Sequence, residues 1–88
     1  MPEVTIYTTM ICPFCHRAKA LLKKKGVEFK EIDVTMDPVT RREMTERAGS
    51  HSVPQIFVDG EHIGDCDGIY EMDFDGELDA RLGLEGAA

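Results

Sequence analysis

The order of periodicities along the chain predicts an α/β fold built on a four-stranded mixed sheet, in the sequence β-α-β-α-β-β-α. Three observations carry that expectation. Apolar and β-branched residues alternate over Val4–Tyr7, apolar residues recur at helical spacing from Phe14 to Leu22, and an Asp59-Gly60 pair separates two short strand-like runs. The first two strands are joined through a helix and should be parallel with a right-handed crossover. The last two, joined by a two-residue turn, must be antiparallel.

Each element has its own signal. Val4-Thr5-Ile6-Tyr7 is β-branched or aromatic and reads as the first strand. From Pro13, the positions Phe14, Ala18, Leu21 and Leu22 define a helix that Gly26 stops. Cys15, Ala18 and Leu22 share its inner face, so Cys15 is expected to be more buried than Cys12. Residues 27–34 read as the second strand, with imperfect alternation. Asp37-Pro38 is a cap followed by proline in the first turn, opening a helix that ends near Gly49. Gln55–Val58 and Glu61–Ile63 form the hairpin around Asp59-Gly60. Residues 64–68 are expected to be a loop. Ile69, Tyr70, Met72 and Phe74 begin a last helical segment, and Leu78, Leu82 and Leu84 continue its apolar pattern toward a Gly-Ala-Ala end.

Between the first strand and the first helix stands Cys12-Pro13-Phe14-Cys15. Two thiols three residues apart at a helix start lie about one turn apart, since a turn takes about 3.6 residues. Cys12 falls where unpaired backbone N–H groups and the positive end of the helix dipole favour a thiolate. Cys15, one turn inside, is placed to attack a mixed disulfide formed on Cys12. A structural zinc site would need four ligands, usually from a second spaced pair. The remaining candidates, Cys66, His16, His51 and His62, make no such pair. The motif therefore reads as redox and not as metal-binding.

Length and charge narrow the class. A chain of 88 residues, 42% of them apolar, is expected to form a single domain over residues 1–88 with its own core. Its net charge of −7 is uneven: residues 1–47 carry nine Lys/Arg against seven Asp/Glu, and residues 48–88 one against ten. Arg17, Lys19, Lys23, Lys24 and Lys25 cluster on the Cys12 helix, a solvated face whose field also suits a thiolate. The acidic total argues against nucleic acid. Apolar runs are too short to span a bilayer, and the N-terminus does not read as a signal peptide. Three cysteines, an odd number, do not suit a secreted disulfide scaffold, so the expected setting is the cytoplasm.

Taken together, Ile6-Tyr7-Thr8 before Cys12-Pro13-Phe14-Cys15, Ser52-Val53-Pro54-Gln55-Ile56-Phe57-Val58, and Gly64-Asp65-Cys66-Asp67-Gly68 resemble a dithiol glutaredoxin of the bacterial type on a thioredoxin fold. The resemblance covers nearly the whole chain. It implies a monomeric glutathione-dependent thiol–disulfide oxidoreductase acting on disulfide-bonded or glutathionylated proteins, with glutathione as co-substrate and no tightly bound cofactor. Cys12 would be the nucleophile and Cys15 the resolving thiol. Val53-Pro54 would be a cis peptide whose Val53 backbone pairs with the glutathione cysteinyl unit, with Phe14 packing beside it. Asp67 and the backbone at Cys66 would hold the γ-glutamyl end, and Arg41 a carboxylate. An iron–sulfur carrier, with a cluster shared by two copies, is the alternative the family suggests, though proline after Cys12 disfavours it.

Three positions depart from the family pattern. Thr9 stands where a lysine is usual, removing a cation near the thiolate. The usual Gly-Gly-Cys-Asp-Asp loop is here Gly64-Asp65-Cys66-Asp67-Gly68, so one carboxylate has moved. Asp65 is expected to point to solvent, Cys66 to be a semi-buried loop cysteine, and His16 to be solvated.

Overall fold

The computed structural model describes residues 2–84. Along the chain run β1 (Val4–Thr8), α1 (Pro13–Lys24), β2 (Phe29–Asp33), α2 (Pro38–Ala48), β3 (Gln55–Val58), β4 (Glu61–Gly64), α3 (Cys66–Phe74) and α4 (Leu78–Arg81). The strands form one sheet in the order β2-β1-β3-β4. β1 pairs parallel with β2, and β3 antiparallel with β4, as the sequence predicts; β1 also pairs antiparallel with β3.

Strand alternation divides the core between the two faces of this sheet. Val4 and Ile6 of β1 and Ile56 and Val58 of β3 point to one face, where Ala18, Leu21 and Leu22 of α1 and Ile69 of α3 cover them. Tyr7 and Phe57 point to the other, against Met44 of α2 and Val34. Every residue of β3 is buried because helices cover both of its faces. Tyr7 and Phe57 meet edge to face, with ring centroids 5.5 Å apart.

Local chemistry sets the element ends. Asp37 caps α2 through Thr40 N–H at 3.0 Å, Pro38 occupies the first turn, and Gly49 ends the helix at a φ of 77°. Asp59 (φ 51°) and Gly60 (φ 83°) supply the two positive dihedrals that a tight hairpin turn needs.

Three expectations need correction. β2 covers only Phe29–Asp33 of the 27–34 run: Val27 is taken up by the end of α1, its N–H donating to Leu22 O at 3.3 Å, and the ladder with β1 ends at Thr8 and Asp33. Residues 64–68 are not a loop: Gly64 closes β4 and α3 begins at Cys66. The last helical segment is two helices, broken at Asp75-Gly76, where Gly76 takes a φ of 80°. Phe74 lies in α3, as expected, and is 91% exposed at its end. The Gly-Ala-Ala end lies outside the described residues.

Because Leu22 is fully buried in the core that backs the thiol helix, Leu22→Ala should destabilise the protein by about 2–5 kcal/mol. Phe74→Ser should change stability by no more than about 0.5 kcal/mol. Urea unfolding measures both, and a Phe74→Ser loss as large as that of Leu22→Ala would contradict this division of the core.

Candidate active site

β1 and β2 run parallel, so their C-terminal ends share one edge of the sheet, and the chain leaving β1 passes from there into α1. Cys12 is the N-cap of α1, with extended backbone dihedrals of −150° and 97°. Its Sγ accepts the Cys15 N–H at 3.1 Å, so sulfur satisfies one of the orphan amides that a serine or aspartate oxygen would otherwise take. Pro13 follows in the first turn, where it has no N–H to leave unpaired.

The two thiols sit in different surroundings. Cys12 is 8% exposed and Cys15 only 1%, since Cys15 lies on the inner face of α1 with Ala18 and Leu22. Burial, and then the hydrogen bond between its thiol and Cys12, push the Cys15 pKa up to about 12. At neutral pH Cys15 therefore stays protonated and donates to Cys12. All three cysteines are free.

Facing the pair is the segment Ser52-Val53-Pro54, whose Val53-Pro54 peptide bond is cis. Val53 O lies 3.8 Å from Cys12 Sγ. A groove of about 170 Å³ runs from this segment to the start of α3, lined by Phe14, Val53, Pro54, Asp65, Cys66 and Asp67 among others. A larger cavity of about 340 Å³ opens at the far end of the sheet, between Val4, Val27, Phe29 and Leu82. It is lined by no thiol, and the chemistry belongs to the smaller groove.

The family model for glutaredoxin matches residues 4–63. The chain belongs to the glutaredoxin family. It is 51% identical over 82 residues to glutaredoxin 3 of Escherichia coli strain K12, covering 93% of this chain and 99% of that one. To the glutaredoxin of Pseudomonas aeruginosa it is 49% identical, covering 93% and 98%. Among solved structures, the buckwheat glutaredoxin–glutathione complex superposes with a TM-score of 0.87 at 27% identity, covering 98% of this chain and 81% of that one. The solution structure of glutaredoxin from Brucella melitensis gives 0.85 at 48% identity, covering 97% and 92%. Fold and family expectations from the sequence are thereby met.

In this glutaredoxin, Phe14, Val53, Pro54, Cys66 and Asp67 come together around the groove, and Arg41 does not. Arg41 lies on the opposite side of the thiol, where it lines a separate hollow with Thr9, Met10, Ile11 and Thr35. Its Nε and Nη2 donate to His51 O at 3.2 and 2.9 Å, tying α2 to the loop before Val53. His16 is exposed, as expected.

Two site residues hold positions at the start of α3 that the sequence reading did not assign. Asp65 is exposed, as expected, and it also caps α3, its Oδ1 accepting Gly68 N–H at 2.8 Å. Cys66 is not a semi-buried loop residue but the buried first residue of α3, and burial pushes its thiol pKa up. The signal for both was an aspartate preceding the apolar run Ile69-Tyr70-Met72, which a cap explains better than a loop does. The same cap accounts for glycine at 68, where a Cβ would stand 3.2 Å from Asp65 Oδ1.

Asp65→Ala should lower stability by about 0.5–2 kcal/mol through loss of the cap, whereas Asp65→Asn, which keeps an acceptor oxygen, should lose far less. Thermal or urea unfolding of the two variants reads the difference. Equal losses would show that the carboxylate charge, not the cap, stabilises the start of α3.

Proposed function

We propose that this glutaredoxin reduces protein disulfides and glutathionylated thiols through Cys12, with glutathione as the co-substrate that restores the dithiol. The observation that carries this reading is the division of labour within the thiol pair: one sulfur caps a helix at the groove, and the other stays buried and protonated behind it.

The steps follow from that division. Cys12 thiolate attacks one sulfur of the substrate disulfide, the S–S bond breaks, and the leaving thiolate takes up a proton. Cys12 in the mixed disulfide no longer carries the charge that opposed ionisation of Cys15. Cys15 then loses its proton and attacks Cys12 Sγ, expelling the second substrate thiol and leaving a Cys12–Cys15 disulfide. Two glutathione molecules return this disulfide to the dithiol and leave as glutathione disulfide, so two electrons pass from glutathione to substrate. Where the substrate is a glutathionylated thiol, Cys12 takes the glutathione and a second glutathione removes it, with no role for Cys15.

For glutathione itself, the Val53 backbone would pair with the cysteinyl unit, with Phe14 packing beside it. Asp67 and the Cys66 backbone would receive the γ-glutamyl ammonium end, and Arg41 the glycyl carboxylate on the other side of Cys12. The glutathione complex of the buckwheat relative supports the ligand, and the groove beside Val53 supports the seat. A protein partner fits the surface around the thiol: Met10, Ile11, Phe14, Met36 and Val39 are large exposed apolar side chains at the thiol end of the sheet. Such a patch suits an apolar segment flanking the substrate cysteine. The cycle requires a reducing compartment, which favours the cytoplasm. The iron–sulfur carrier is not favoured, because Pro13 directly after Cys12 stiffens the loop that would have to hold a cluster.

Cys12→Ser should abolish turnover of both glutathionylated and protein-disulfide substrates. Cys15→Ser should spare the first and impair the second, in a coupled assay with glutathione and its reductase; substantial activity in Cys12→Ser would overturn the assignment. In the same assay Asp67→Asn should raise the KM for glutathione by about tenfold or more, the effect of losing a charged hydrogen-bond partner. An unchanged KM would remove Asp67 from the site.

A further inference from the structure

Gln55 opens β3 directly after the cis peptide, and it is only 2% exposed. A buried amide is costly unless its polar atoms are bonded. Here they are: Nε2 donates to Ser52 O at 3.1 Å and to Ser52 Oγ at 3.2 Å, and Oε1 meets His62 Nε2 at 2.7 Å. The partners fix the direction of the amide. A backbone carbonyl can only accept, so the nitrogen faces Ser52 and the oxygen faces His62.

His62 must then carry a proton on Nε2. Its ring packs on Phe57 with centroids 5.2 Å apart, and burial holds its pKa below the ordinary histidine value against the opposing charge of Asp65. At neutral pH the ring is therefore neutral with its hydrogen on Nε2. Protonation would add a hydrogen at Nδ1 without removing this one, so the bond to Gln55 survives in both forms.

The clamped residue is the one before Val53. Ser52 Oγ also meets Ser50 Oγ at 2.9 Å, and Arg41 holds His51 O from the α2 side. The Ser52 carbonyl thus belongs to a peptide gripped from the strand by Gln55, immediately before the backbone that faces Cys12 Sγ. The proposed mechanism makes no use of Gln55, whose side chain shares the α2 face of β3 with Phe57.

We propose that Gln55, oriented by His62, is a positioning residue that holds the Val53 backbone beside Cys12 and thereby sets the affinity for the glutathione half of a mixed disulfide. This rests on the oxidoreductase reading above and deepens it. Gln55→Met removes the bonds at both ends of the amide, while Gln55→Glu keeps an acceptor toward His62 and deletes the donors toward Ser52.

The test is steady-state kinetics of the whole chain on a glutathionylated peptide, with the rate of Cys12 alkylation by iodoacetamide measured alongside. Both variants should raise the KM about tenfold or more, since each deletes the two hydrogen bonds to Ser52. Their kcat and Cys12 alkylation rates should match the parent. Parent-like KM in Gln55→Glu, or a fall in kcat with KM unchanged, would overturn the proposal. Should the variants fail to fold, ¹⁵N NMR of the unaltered protein decides. A His62 proton on Nε2 and a slowly exchanging Gln55 amide are expected; a proton on Nδ1 would refute the clamp. An unaltered protein inert toward the peptide would sink the oxidoreductase reading itself, whereas an active one with parent-like variants removes only Gln55.

Discussion

A single hydrogen bond, from the Cys15 amide to the Cys12 sulfur, joins the fold to the chemistry. It exists because α1 starts at the sheet edge and leaves its first amides without carbonyl partners. Any acceptor at the N-cap would stabilise the helix, and here the acceptor is a nucleophile. The demand of the helix terminus and the requirement for a thiolate are met by one atom. The more negative that sulfur becomes, the better it caps. The cost of this arrangement falls on Cys15. Buried on the inner face of the same helix, it stays protonated and lends its hydrogen to Cys12.

The rest of the structure keeps that helix start in register with the segment opposite. The parallel β1–β2 pair brings α1 and the loop before α2 to the same edge, while the antiparallel β3 enters next to β1 from Pro54. The strand register Tyr7–Gln55 therefore sets how closely Val53 approaches Cys12. Because both faces of β3 are covered, a one-residue slip would drive Gln55 into the apolar cluster beneath α1 and α3, and the register is correspondingly firm. Arg47 adds to this from α2, its guanidinium lying 4.4 Å over the Phe57 ring and reaching Tyr7 Oη and Gly60 O.

Much of this was legible in the sequence. Alternation in β1, the 3–4 spacing of Ala18, Leu21 and Leu22, and the Asp59-Gly60 turn are local patterns, and each gave the observed element. The helix face that Cys15 shares with Ala18 and Leu22 likewise foretold which thiol would be the more deeply buried. What escaped depended on tertiary partners. Asp65 could be assigned as a cap only once α3 was known to begin at Cys66. The exposure of Phe74 follows from the break at Asp75-Gly76, which an apolar count passes over. Gln55 and His62 give no signal in sequence, because their roles come from a contact across the β3–β4 hairpin to a loop.

The central claim is that the two thiols are chemically unequal because one caps the helix and the other is buried behind it. The most direct measurement is the pH profile of iodoacetamide alkylation of the reduced protein, resolved for Cys12 and Cys15 by peptide mass analysis. Cys12 should be labelled rapidly at neutral pH, and Cys15 should stay unlabelled until strongly alkaline conditions. Labelling of Cys15 at neutral pH as fast as that of Cys12 would contradict the account.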